Sequence, residues 1–176
     1  MTREMTMSDA RFEDGVEQPL RLIARDDRDL QIISALLQDA VLTGADMRFD
    51  RAQRRFSLLL NRFRWEDRDR AAASGRRFER VRCVLDFADV GGVQHQGLTR
   101  DSDTVLSLLA LAYEPESAPE DTAEASEGEP AGPGRVLLTF AGDGALSLTV
   151  ECLEVELSDV TRPYMAPSGK APQHND

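Results

Sequence analysis

No stretch of this sequence is apolar over anything near the ~20 residues that a bilayer-spanning helix needs, so a membrane protein built on helices is not expected. The first residues, Met1 to Pro19, lack the apolar core of a secretory signal, which makes cytoplasmic residence the expectation. Cysteine is scarce. The two present, Cys83 and Cys152, sit in strand-like apolar runs and read as small buried hydrophobes rather than a disulfide. Without a nearby histidine they do not form a zinc set either. Histidine is as rare. His174 lies in a polar tail, and His95 lies between Gln94 and Gln96 after a Gly-Gly break. A lone loop histidine is far more often a solvated side chain than a general base, which needs a positioned partner. No glycine-rich phosphate loop, serine elbow or HExxH occurs. Asp101-Ser102-Asp103 echoes a cation loop without its glycine and distal glutamate, so it reads as a turn. These absences lean against an enzyme and call for no cofactor and no metal.

Positive charge is also short overall, at a net −11, which makes nucleic acid an unlikely partner. The distribution is uneven. Residues 48 to 82 hold twelve Arg against five acids, whereas residues 114 to 134 hold seven acids and no base. That acidic run, rich in Pro, Ala, Ser and Gly at 115–134, reads as a disordered loop, and a neutral surface insertion is its plainest account. Residues 1–19 and 162–176 read as disordered tails around a single domain at 20–161.

What is present is patterning. Asp26 is a good N-cap, with Asp27 and Asp29 in the following turn, and Leu30, Ile33, Leu37 and Val41 recur at helical spacing. The expected helix is 27–42, stopped by Gly44. Around it the period is two. Short strands are expected at 20–24 and 46–51, a long one at 54–65 and another from Phe78 to Phe87. Gly91-Gly92 is either a hairpin turn or a bulge. Residues 104–114 are apolar on both parities and read as a strand buried on both faces. Val136-Leu138-Phe140, Gly142-Asp143-Gly144 and Leu146-Leu148-Val150 form the best hairpin signal.

Two of these runs change faces. In 54–65, Phe56, Leu58 and Leu60 share one face, but Phe63 and Trp65, the only tryptophan, share the other. Either a bulge sits near Asn61 or the strand bends and serves two core regions. The run 146–157 switches in the same way between Cys152 and Leu153. The expected fold is therefore α+β: one N-terminal helix packed on a strongly bent, mostly antiparallel β-sheet of about six to eight strands, a partly closed barrel or an orthogonal roll.

Three blocks, Asp29 to Val41, Leu60-Asn61-Arg62-Phe63-Arg64-Trp65-Glu66, and Gly144 to Glu154, resemble in their order a small bacterial family, the domain of unknown function 2948. The resemblance spans roughly residues 20 to 160 and implies a bacterial, single-domain, cytoplasmic protein. It brings no catalytic residue to carry over. Relative to that family the acidic loop looks like an insertion.

Two functional expectations remain. The first is a non-enzymatic protein-interaction module, with a homo-oligomer or a protein partner, because sheet edges need covering. The second is an anion- or nucleotide-binding domain built on arginines of the central strands: Arg62 and Arg64, ~7 Å apart on one face, with Arg80 and Arg82 on the neighbouring strand. Guanidinium forks suit phosphate and carboxylate. The competing account pairs those arginines with the domain's own acids.

Overall fold

The computed structural model describes residues 19–67, 72–73, 75, 79–116 and 131–165. Most of the expected N-terminal tail, of the acidic loop and of the C-terminal tail lies outside the described residues.

The helix α1 spans Asp27–Leu36. Asp26 caps it as expected: its side chain accepts from the Asp29 backbone N–H at 2.8 Å. The helix is shorter than the expected 27–42. Leu37 closes it with backbone N–H bonds to Ile33 and Ser34, and Asp39 then takes a left-handed φ of 64°. Asp39 donates to the Leu108 carbonyl at 2.8 Å, which leads the chain into a strand. Ala40 and Leu42 are buried while Val41 and Thr43 are half-buried, so the residues assigned to the helix's last turns follow period two instead.

Among the described residues eleven strands form one sheet, and every ladder is antiparallel. They are β1 (Arg21–Ala24), β2 (Ala40–Thr43), β3 (Met47–Asp50), β4 (Arg55–Phe63), β5 (Glu79–Phe87), β6 (Val90–Gln96), β7 (Val105–Pro115), β8 (Gly134–Phe140), β9 (Ala145–Val150), β10 (Val155–Asp159) and β11 (Tyr164–Met165). The order is β1-β10-β5-β4-β2-β7-β8-β9-β6, with β11 beside β5 and β3 beside β4. The fold is α+β, as expected, and hydrogen bonds do not close the sheet into a barrel: its path ends at β1 and β6.

The short β2 joins two halves of the sheet. It meets β4 at Val41↔Asn61 and β7 over Ala40↔Leu108 to Thr43↔Val105. The halves share one core. Leu58, Leu85 and Leu157 from one pack in the same cluster as Leu108, Leu138 and Leu148 from the other. Leu30, Ile33 and Leu37 of α1 join that cluster. Ser34 anchors the helix to β7 by accepting from the Leu111 backbone N–H at 2.9 Å.

The face changes have three separate causes. In β4 the register with β5 is unbroken from Phe56↔Phe87 to Phe63↔Arg80, so no bulge sits at Asn61. Arg62 instead takes the core-side position after Leu60. Phe63 is buried on the other side, outside the main cluster, and meets Trp65 edge-on at 4.6 Å. The strand thus serves two apolar regions. The second run, 146–157, is not one strand. It is β9 and β10, separated by a turn at Glu151–Glu154, and each pairs with different partners. The third case was read differently from the sequence. β7 is not buried on both faces, since Val105 is 66% and Leu109 37% exposed. A register shift between Leu108 and Ala110 moves the buried parity from Leu106 and Leu108 to Leu111, and apolar residues on both parities are the trace of that bulge. The Gly91-Gly92 ambiguity resolves the same way: β6 carries a register shift between Val90 and Gly92.

Candidate functional site

The four arginines singled out from the sequence are not brought to one place. Because Arg62 lies opposite Val81, Arg80 and Arg82 project from the other face of the sheet. Arg62 is fully buried. It donates from Nε and Nη2 to the two Asp159 oxygens at 3.0 and 2.9 Å, and from Nη1 and Nη2 to the two Glu66 oxygens at 2.9 and 2.8 Å. A fifth contact runs from Nη1 to the Phe63 carbonyl at 3.4 Å. All five N–H donors of the fork are thereby accounted for. Burial opposes the charge on Arg62, but the hydrogen bonds to Glu66 and Asp159 outweigh it and hold the guanidinium above its ordinary value. Asp159 also accepts from the Leu20 backbone N–H at 3.1 Å, so this cluster ties the start of the fold to β10 and β4. Arg64 is paired with Glu79, and Glu66 lies 3.9 Å away. Arg80 and Arg82 sit on β5, where Arg82 is exposed and the Arg80 Nη1 is buried without a hydrogen-bond partner among the described residues. Arg62 and Arg64 are thus met by the chain's own carboxylates, the arrangement the ion-pair account describes.

A different set of cations converges elsewhere. Among the described residues β3 pairs only with β4 and β6 only with β9, and their other edges flank a cleft of about 690 Å³. Its walls are partly apolar: Met47, Phe49 and Phe56 on one side, Val93, Leu98 and Leu146 on the other. Arg51, Arg54, Arg100 and His95 also line it, and among the described residues no carboxylate does. The volume falls in the ~300–1,000 Å³ range of small-molecule sites.

Both ends of the cleft are sealed by backbone contact. At one end the Val90 N–H donates to the Arg54 carbonyl at 2.9 Å. At the other, Gly44 lies so close to the segment after β6 that a Cβ there would stand 2.5 Å from Arg100 Cα and from the Thr99 oxygen. Gly44, read from the sequence as a helix stop, instead permits this approach.

Arg54 has a second distinction. Among the described residues four non-glycine residues have positive φ, and three of them are aspartates, which tolerate that conformation; the fourth is Arg54, at 55°. Its side chain makes one ion pair, with Glu151 at 3.0 Å, and both groups are largely exposed. That hydrogen bond raises the Arg54 guanidinium above its ordinary value. The Arg51 guanidinium lies 5.7 Å from the Phe49 ring centroid, within cation–π range. Arg51 and Arg100 make no ion pair among the described residues.

The cysteines offer no nucleophile. Burial pushes the Cys83 thiol up to about 12. Cys152 donates to Asp89 Oδ2 at 2.8 Å, and that bond pushes its thiol up to about 11. Among the described residues no three His, Cys, Asp or Glu side chains cluster as a metal site would require, and no helix is long and apolar enough to cross a membrane.

None of the four arginines expected from the sequence lines this cleft; Arg51, Arg54 and Arg100 were not singled out, and His95 reads from the sequence as a solvated loop residue. The only local signal was the density of arginine in residues 48 to 82. No curated protein and no solved structure matches the chain at a significant level. A family does: its signature covers residues 20–174, most of the chain. The three sequence blocks and this match agree, and the chain belongs to the family described as protein of unknown function DUF2948.

Proposed function

We propose that this domain is a non-enzymatic binding module that holds a small anionic ligand in the cleft between β3 and β6. The observation that carries this reading is the lining: three arginines and no carboxylate around a partly apolar cavity. A group of three guanidiniums, of which Arg51 and Arg100 make no ion pair among the described residues and Arg54 makes one, favours a bound anion, and apolar walls strengthen the attraction by lowering the local dielectric. The left-handed Arg54 supports it, since a glycine or asparagine there would relieve the backbone. The lining offers His95 no carboxylate or thiol as a catalytic partner, which favours binding over turnover.

The setting that goes with this proposal is the bacterial cytoplasm, and the two unpaired thiols suit a reducing compartment. The protein-interaction and homo-oligomer reading rests on less. Exposed large apolar side chains are spread over β1 (Ile23), α1 (Ile32), β7 (Val105, Leu109) and the segment after β10 (Val160). Light scattering tests it: a monomer at micromolar concentration removes the homo-oligomer.

The test of the cleft is a thermal shift at low ionic strength with inorganic phosphate, pyrophosphate, citrate and a nucleoside monophosphate, with sodium chloride as the matched control. A ligand at a hundred times its Kd stabilises the folded state by ~2.7 kcal/mol, which raises Tm by several degrees. The gain should shrink with salt and disappear in the Arg54→Gln/Arg100→Gln double variant. If no anion shifts Tm, or the double variant responds like wild type, the reading fails.

A further inference from the structure

The two seals fix which end of the cleft each cation occupies. Val90, at the start of β6, meets Arg54, just past the end of β3. Arg100, past the end of β6, meets Gly44, ahead of β3. The two strand edges therefore run in opposite directions along the cleft. Arg51 and Arg54 stand at one end and Arg100 at the other. Between them the walls are apolar, through Met47, Phe49 and Leu98. A strand rises ~3.3 Å per residue, so the stretch from Met47 to Arg51 alone covers ~13 Å. The backbone positions that carry the cations therefore lie at opposite ends of the β3 wall, and a ligand that engages both ends spans that wall.

Resting on the cleft as an anion site, we infer that its ligand is an elongate dianion: an apolar body with a carboxylate or phosphate at each end, one on Arg51 and Arg54, the other on Arg100. A single-headed anion leaves either Arg51 or Arg100 without a counter-charge, since neither makes an ion pair among the described residues. A compact polyanion held at one end leaves the arginine at the other without a counter-charge, and placed midway it lies against Met47 and Leu98, which offer no donor. The backbone contacts at Val90–Arg54 and at Gly44 bound the cleft lengthwise and so limit the length of a ligand lying along it. An elongate body covers the half-buried apolar walls and engages both ends at once, which raises affinity by effective concentration.

Titration calorimetry on the full chain tests this. The probes are straight-chain α,ω-dicarboxylates from succinate to dodecanedioate, the matching monocarboxylates, α,ω-diphosphonates, and pyrophosphate and citrate as compact anions. The expected result is an affinity that peaks at an intermediate length, with the best dianion about tenfold tighter than its monoanion. Arg54→Gln and Arg100→Gln should each abolish that advantage, and unliganded Tm values near wild type will show that both variants are folded. The better of the carboxylate and phosphonate series identifies the head group, and either one supports the inference. If pyrophosphate or citrate binds tighter than every elongate dianion, or the advantage survives Arg100→Gln, the two-ended ligand is overturned and the cleft site stands. If no anion of either shape binds, the cleft reading falls and takes this inference with it.

Discussion

Arg62 and Arg54 are close in the chain, one within β4 and the other just before it, yet their environments are opposite. Arg62 is 0% exposed and its donors are met by two bidentate carboxylates and a carbonyl. Arg54 has one carboxylate, Glu151, and the two side chains are 42% and 69% exposed. A buried guanidinium with every donor occupied belongs to the scaffold, because any ligand would have to displace two carboxylates already desolvated around it. An exposed guanidinium with one weak partner can exchange that partner for a ligand at little cost. The number of donors already satisfied, rather than the density of arginine, separates scaffold from site in this molecule.

Arg62→Met sharpens that contrast most. Removing one member of a buried ion cluster strands the others, and Asp159 is almost fully buried. The expected loss is ~3 kcal/mol in denaturant unfolding, against no measurable loss for Arg100→Gln. Equal stability of the two variants would break the comparison. The pH dependence adds a second signature. Burial pushes the Glu66 carboxyl up, but the hydrogen bond and charge of Arg62, joined by a backbone hydrogen bond and the charge of Arg64, together outweigh it and hold the carboxyl below its ordinary 4.5. A depressed folded value stabilises the protein above the unfolded value, and that stability is lost as pH falls through the folded one. Wild type should therefore lose stability progressively below about pH 4.5, and Arg62→Met should show a flatter acid limb.

Gly44→Ala is the next largest effect, and it acts on the cleft rather than on its charges. The new methyl would meet the backbone at Thr99 and Arg100, which cannot rotate away as a side chain could. Forcing these segments apart should cost ~1–3 kcal/mol. It should also weaken anion binding, because Arg100 moves with the displaced backbone. A variant with wild-type Tm and wild-type affinity would show that the seal does not position Arg100.

Much of the fold was legible because strand alternation is local. Phe56-Leu58-Leu60 and Val81-Cys83-Leu85-Phe87 announced β4 and β5, and these residues face each other across the ladder. Asp26 announced α1. The misreadings came where a local pattern has two physical solutions. Val41 fits a helical stripe and a strand alike, and the left-handed Asp39 that decides between them carries no periodic signal. Apolar residues on both parities of β7 fit a doubly buried strand as well as a bulge. The cleft was hidden for a further reason. Its cations come from one segment near Arg51 and Arg54 and another near Arg100, and β3 and β6, far apart in the sheet order, meet at one cleft only in the folded sheet. The saturation of Arg62 was equally out of reach, since Asp159 lies 97 residues away in sequence.

The smallest effect tests the exchangeable half of the comparison. Glu151 occupies Arg54 from a position outside the cleft lining, and the pair is exposed. If Arg54 is a ligand donor, Glu151 competes with the ligand for it. Glu151→Gln should leave Tm unchanged within error, because exposed ion pairs contribute little. It should raise anion affinity a few-fold in titration calorimetry at low salt, and that gain should fade as salt screens the competing carboxylate. Arg54→Gln should remove the gain, since nothing would then remain to be released. Unchanged or weaker binding in Glu151→Gln would mean that Arg54 is held by Glu151 for the sake of the β3–β4 turn, and Arg54 would then join Arg62 on the scaffold side.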